Sequence, residues 1–169
     1  MSETIRRLAP ILLAAGALSL AIPATSAAST QGGGPLTTAE RHWVGGLTPF
    51  FQKLAGSLRV VASTLGDPDR VVLVMGGDAK TRAKLDVALH GLENCAHVLG
   101  TRGRPPTARL GPIRTGLNGA CGHYARSARL IASGLDHKRA SDFTNANVQM
   151  RAGNRLLATA EKRMEALPH

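Results

Sequence analysis

The chain is 169 residues long and carries 21 Lys and Arg against 11 Asp and Glu, a net charge of +10. With 43% apolar and 19% charged residues it has the balance of a folded chain, which excludes wholesale disorder. Its aromatics are only Trp43, Phe50, Phe51, Tyr124 and Phe143, too few for the stacking platforms of carbohydrate or single-strand nucleic-acid readers.

Residues 1–27 read as a cleaved secretory signal. Arg6 and Arg7 form its positive start, Leu8 to Ile22 is almost wholly apolar, and Pro23 ends any helix. The run Ala24-Thr25-Ser26-Ala27-Ala28 offers small residues for cleavage after Ala27 or, equally, after Ala28. The apolar stretch is shorter than the roughly 20 residues a spanning helix needs, which disfavours an uncleaved anchor. No Cys directly follows the small-residue stretch, so no thioether lipid anchor is available there. Removing Arg6, Arg7 and Glu3 takes away +1 of the +10 and leaves +9 on the mature part. The expected location is secreted or periplasmic, and after cleavage the protein is not expected to be integral to a membrane.

Residues 28–36 form a flexible linker, and residues 37–169 form one domain. Thr37-x-x-Glu40 is a capping-box signature opening the first helix. Its apolar stripe is Trp43, Leu47, Phe50, Leu54, Leu58, Val61 and Leu65, which keeps phase through Gly45-Gly46 and Pro49. That predicts one helix kinked near Pro49, or two in series with Thr48 capping the second. Gly66-Asp67-Pro68-Asp69 reads as a turn. Arg70 to Met75 has strand-like composition but no strand to pair with, so a helical turn or packed loop is expected. Gly76-Gly77-Asp78-Ala79-Lys80-Thr81 lacks the Gly-Lys-Thr adjacency of a phosphate loop and reads as a helix start, with Asp78 as cap.

The second helix carries Leu85, Leu89, Leu92, Ala96 and Leu99 and stops at Gly100. The third carries Leu110, Ile113, Leu117, Cys121, Tyr124, Ala128, Ile131 and Leu135, starting near Pro112. Gly111, Gly116, Gly119 and Gly122 crowd its first half, and each interior glycine costs about 0.5–1 kcal/mol relative to Ala. A disulfide or the close approach of another helix must compensate. The fourth helix begins near Ser141-Asp142 and carries Phe143, Ala146, Met150, Gly153, Leu157, Ala160, Met164 and Leu167. The fold expected is all-α: an antiparallel four-helix bundle with a kinked first helix and one inter-helix disulfide.

That disulfide joins Cys95 and Cys121, the chain's two cysteines, because an oxidising compartment favours pairing and a hairpin turning at residues 100–111 brings them close. Closing a loop of this size is worth about 3–4 kcal/mol in the chain-entropy picture. On reduction, the glycine-rich first half of helix three is expected to loosen first.

Three groups of side chains are candidates for chemistry. His90, Glu93 and His97 sit at i, i+3 and i+7 on one flank of helix two and could ligate a metal; a solvated flank with a Glu93–His97 pair is the plainer reading. His123 is placed on the far side of helix three, away from them. Arg102, Arg104, Arg109 and Arg114 form a basic patch in and after the loop, continued by Arg126, Arg129, Lys138 and Arg139. Outside the cytoplasm such a surface meets anionic lipids or acidic polymers before nucleic acid, which has no reader motif here. No cofactor motif and no catalytic residue are recognised. A Gly-x-Ser-x-Gly elbow, a His-Glu-x-x-His helix and a free Cys nucleophile are missing, and the acids lie mostly at caps and turns. Exported helical chorismate mutases share the length and a disulfide, but they line their bundle with cationic side chains, which these inward stripes lack.

The run Leu92-x-x-Cys95, then Pro105-Pro106-x-x-Arg109-Leu110, then Leu117-x-x-Ala120-Cys121 resembles exported helical proteins of high-GC bacteria that have no assigned activity. The resemblance implies the fold and the compartment and transfers no functional residue. The expected function is a non-enzymatic, exported binding or envelope-associated module whose partner is a protein or an envelope component, anionic surface polymers included. The alternative is a small-ligand or metal carrier using the bundle core or the His90, Glu93 and His97 flank.

Overall fold

The structure, a computed structural model, describes residues 34–168; the expected signal and most of the linker lie outside the described residues. Those residues are all-helical. The capping box forms as expected: Glu40 Oε2 accepts from Thr37 N at 2.8 Å, and Thr37 Oγ1 accepts from Glu40 N at 3.3 Å. It opens α1, Thr38–Gly45, which is followed after a bend by α2, Thr48–Leu65. Leu47, not Thr48, caps α2: Phe51 N donates to the Leu47 carbonyl at 3.0 Å, and no side chain caps this end. Buried Leu47 carries the apolar stripe across the bend, so α1 and α2 face the same core.

The stretch expected as a turn or loop is α3, Pro68–Met75. Asp67 Oδ1 accepts from Asp69 N at 3.0 Å, and Pro68 enters at the first turn, where its missing N–H costs nothing. This start signal outweighs the strand propensity of the valines. Asp78 caps α4, Ala79–Glu93, by accepting from Thr81 N at 2.8 Å.

The second predicted helix divides. Asn94 ends α4 and begins α5, Cys95–Gly100. The chain does not reverse there, since Asn94 N still donates to His90 O and Val98 N to Asn94 O, both at 3.0 Å. The inward face continues through Leu92, Cys95 and Leu99 at steps of 3 and 4, so Cys95 is buried and Ala96, expected on the stripe, is exposed. A 3-10 turn, Ala108–Leu110, then leads into α6, Gly111–His137. Lys138, at φ 55°, closes α6 in the left-handed region, and α7, Ala140–Glu165, follows.

The most extensive helix–helix contacts pair α2 with α4, α4 with α6, and α6 with α7. Leu85, Leu92, Leu99, Leu117 and Tyr124 are fully buried among them. Fully burying a Leu is worth about 1.5–3 kcal/mol, so this core dominates stability. The Cys95–Cys121 disulfide ties α5 to α6, with a Cα–Cα distance of 5.2 Å. Gly116, Gly119 and Gly153 serve the α6–α7 seam. A Cβ on Gly116 would lie 3.3 Å from Ala160 Cβ, one on Gly119 2.9 Å from Leu156 Cδ1, and one on Gly153 2.7 Å from Tyr124 Cε1. Close approach therefore offsets their poor helix propensity. Among the described residues, no helix is long and apolar enough to cross a membrane.

Candidate functional site

The loop between α5 and α6 carries Arg102 and Arg104, with Arg109 and Arg114 where α6 begins. Its course is set by Gly103, whose φ of 71° suits a residue without Cβ, and by Pro105-Pro106. Two of the four arginines hold the loop. Arg109 Nε donates to Glu40 Oε1 at 2.6 Å, and its Nη2 pairs with Glu40 Oε2. Its Nη1 also donates to the carbonyl of Gly34 at 2.9 Å, fastening the chain before α1. Arg114 Nη1 donates to Leu99 O in the last turn of α5 at 2.8 Å and to Gly103 O in the loop at 3.0 Å.

Glu40 is the one buried acid among the described residues, its side chain 0% exposed. Thr107 donates a further hydrogen bond to Oε1, and Thr37 N and Oγ1 donate to Oε2 at 2.8 and 2.9 Å. The Arg109 guanidinium, then Thr107, holds this carboxyl well below the usual carboxylate range. A carboxylate whose oxygens are filled by five donors is a structural anchor with nothing left to offer a substrate. Nearby in sequence, Trp43 Nε1 is the single buried side-chain nitrogen or oxygen without a partner among the described residues.

Arg102 and Arg104 are exposed and have no side-chain partner among the described residues. The patch is thus two clamped arginines below two open ones, and the open pair stands on a loop fixed from both ends.

His90, Glu93 and His97 are not gathered into a ligand set. His90 and Glu93 lie on α4 and His97 on α5, beyond the Asn94 break, and all three are exposed. Asn94 Nδ2 lies 2.7 Å from His90 Nε2. Among the described residues, no three His, Cys, Asp or Glu side chains are placed to hold a metal. His123 faces α7, with Nδ1 2.8 Å from Gln149 Oε1, and Arg126 Nε donates to the same oxygen at 3.1 Å. Along this seam Tyr124 Oη donates to Asn154 Oδ1 at 2.8 Å and Ser127 Oγ to Ala146 O at 2.9 Å.

The sequence reading treated Glu40 as a cap alone and missed its pairing with Arg109. A signal existed: Leu36, Glu40, Trp43 and Leu47 follow helical spacing, so an acid occupies a position on the apolar stripe. No protein-family model, curated protein or solved structure matches this chain.

Proposed function

We propose that this chain is an exported, non-enzymatic helical domain, in plan an antiparallel four-helix bundle, that binds an anionic component of the cell envelope through its α5–α6 loop. One observation carries the reading: Arg102 and Arg104 are open to solvent on a loop that hydrogen bonds from Arg109 and Arg114 fasten at both ends. Presenting cations on a fixed frame lowers the ordering cost of binding, and guanidinium groups suit phosphate and carboxylate oxygens. The signal-like leader and the Cys95–Cys121 disulfide support an extracytoplasmic site of action.

The test is co-sedimentation of the purified protein with envelope fragments from the same cells. The Arg102→Gln/Arg104→Gln variant should lose binding, and added salt should release the parent protein. Undiminished binding by the variant would refute the role of the loop. N-terminal sequencing of protein recovered outside the cytoplasm should begin at residue 28 or 29; full-length protein found only in the cytoplasm would refute export.

A further inference from the structure

Extensive contact closes three sides of the bundle, α2 on α4, α4 on α6 and α6 on α7; among the described residues it does not close the fourth, α7 on α2. The buried residues of α7, Ala146, Gly153 and Ala160 among them, are turned onto α6. One flank of α7 is fixed to the outer side of α6, by Gln149 beside His123 and Leu156 against Gly119. Met150, Asn154 and Glu161 share the other flank, about 70° round the axis from the buried residues and toward α2. On α2, Ser57 stands against Gly91 of α4. Phe51 and Leu58 lie on the side away from α4, about 70° from buried Phe50, Leu54 and Val61, and so face α7. The Ser57–Gly91, Cys95–Cys121 and Tyr124–Gly153 contacts set the register of these antiparallel helices, with Leu58 level with Asn154 and Phe51 level with Glu161. At the rim stand Ala55 and Ala158, too small to close the gap. Phe51, Leu58, Met150 and Glu161 are all half-buried, as the walls of an open cleft would be.

We infer that this α2–α7 cleft binds an organic ammonium ion bearing an apolar arm, its ammonium against Glu161 and its arm along Phe51 and Leu58. The site is separate from the α5–α6 loop and does not depend on it. Charge selects the cation. In a chain of net charge +10, the α2-facing flank of α7 carries two charges, Glu161 and Glu165, and both are negative. Glu161 has neither a hydrogen bond nor an ion pair among the described residues. Burial, then the Glu165 carboxylate, raises its carboxyl above the usual value. Burial, then the Glu161 charge, likewise pushes up the Tyr124 phenol, in keeping with a carboxylate on the inner side of α7. A bound cation would offset a charge that the fold leaves half-buried and unpaired. The Phe51 ring, steadied edge-on by Phe50 at 5.3 Å between centroids, adds a face that attracts an ammonium group.

The test titrates the purified, disulfide-bonded protein at neutral pH with phenylbutylammonium, phenylbutanol and methylammonium, by calorimetry. Phenylbutylammonium should bind, the alcohol at least about tenfold more weakly, and methylammonium not measurably. Glu161→Gln should weaken the phenylbutylammonium at least about tenfold and leave the alcohol unchanged. Relieved of an unpaired charge, that variant should melt no lower than the parent, which separates lost binding from lost fold. Ala158→Leu, an exposed change that keeps helix propensity, should fill the cleft and weaken both ligands. Equal affinity for the ammonium and the alcohol would overturn the role of charge. Full ammonium binding by Glu161→Gln or by Ala158→Leu, or none by the parent, would overturn the site.

Discussion

Toward α4 and α5, helix α6 is held at discrete points; toward α7 it is held by shape. The first flank has the Cys95–Cys121 bond, Arg114 on the α5 carbonyls, the Arg82–Asp136 ion pair and, where the chain turns into α6, the Arg109–Glu40 clamp. On the second flank Gly116, Gly119 and Gly153 let backbones and rings approach to distances that a side chain would block, and the Tyr124 and Ser127 hydrogen bonds then fix the register. The two flanks should respond to different insults. Redox, pH and salt act on discrete bonds, whereas a single added methyl group acts on a seam of small residues.

The largest effect expected is loss of the staple. Reduction, or the Cys95→Ser/Cys121→Ser pair, should cost about 3–4 kcal/mol and lower Tm by about 10 °C. Hydrogen exchange should then rise first over residues 95–103, because α5 is short and, without the bond, is left with buried Leu99 and the Arg114 hydrogen bonds to hold it. Residues 112–122 should stay protected, since α7 still covers Gly116 and Gly119. That revises the expectation from sequence alone, in which the glycine-rich stretch loosens first. Faster exchange over 112–122 than over 95–103 would break the distinction between the flanks.

Overpacking the other flank comes next. Gly153→Ala drives a Cβ to 2.7 Å from the buried Tyr124 ring and should cost about 1–3 kcal/mol, measured by denaturant unfolding. Gly122→Ala meets nothing closer than Arg126 Nη1 at 3.9 Å and should stabilise by about 0.5–1 kcal/mol. Equal stability of the two variants would mean that helix propensity, not the seam, governs α6.

Acid should act on the clamp without touching the seam. Glu40 is held below its ordinary value of 4.5, so its contribution is complete above that pH and is lost as the pH falls through the lower, folded-state value. Glu40→Gln should be less stable than the parent at neutral pH, and the gap should narrow on acidification; a gap independent of pH would show that charge at Glu40 contributes nothing. The smallest effect belongs to Arg82, whose exposed pairs with Asp86 and Asp136 at 2.9 and 2.8 Å should be worth about 0.2–1 kcal/mol and vanish in high salt. A salt-independent loss in Arg82→Ala would point to its packing instead.

Much of the fold was legible because it is written at short range. The capping box at Thr37 and Glu40, the Asp78 cap and the apolar stripes of α2, α6 and α7 depend on residues three and four apart, and spacing reveals them directly. The Cys95–Cys121 pairing was also within reach, since the export reading and a single hairpin left the two cysteines no other partner. Of the site, the sequence marked the four arginines but not their division of labour. Whether Arg109 or Arg104 is the open one depends on a carboxylate 69 residues from Arg109, and no local pattern encodes that partner. From Leu92 the stripe could step by 3 to Cys95 or by 4 to Ala96, and only the packing against α6 chooses Cys95 as the inward residue. Which glycines matter was undecidable from composition, because Gly119 and Gly122 look alike along the chain and differ only in what stands opposite. Sequence determined where helices form and which faces are apolar, because those are properties of neighbours on one helix. Only the tertiary structure decided which faces meet, and with that which charges are buried and which remain open to a partner.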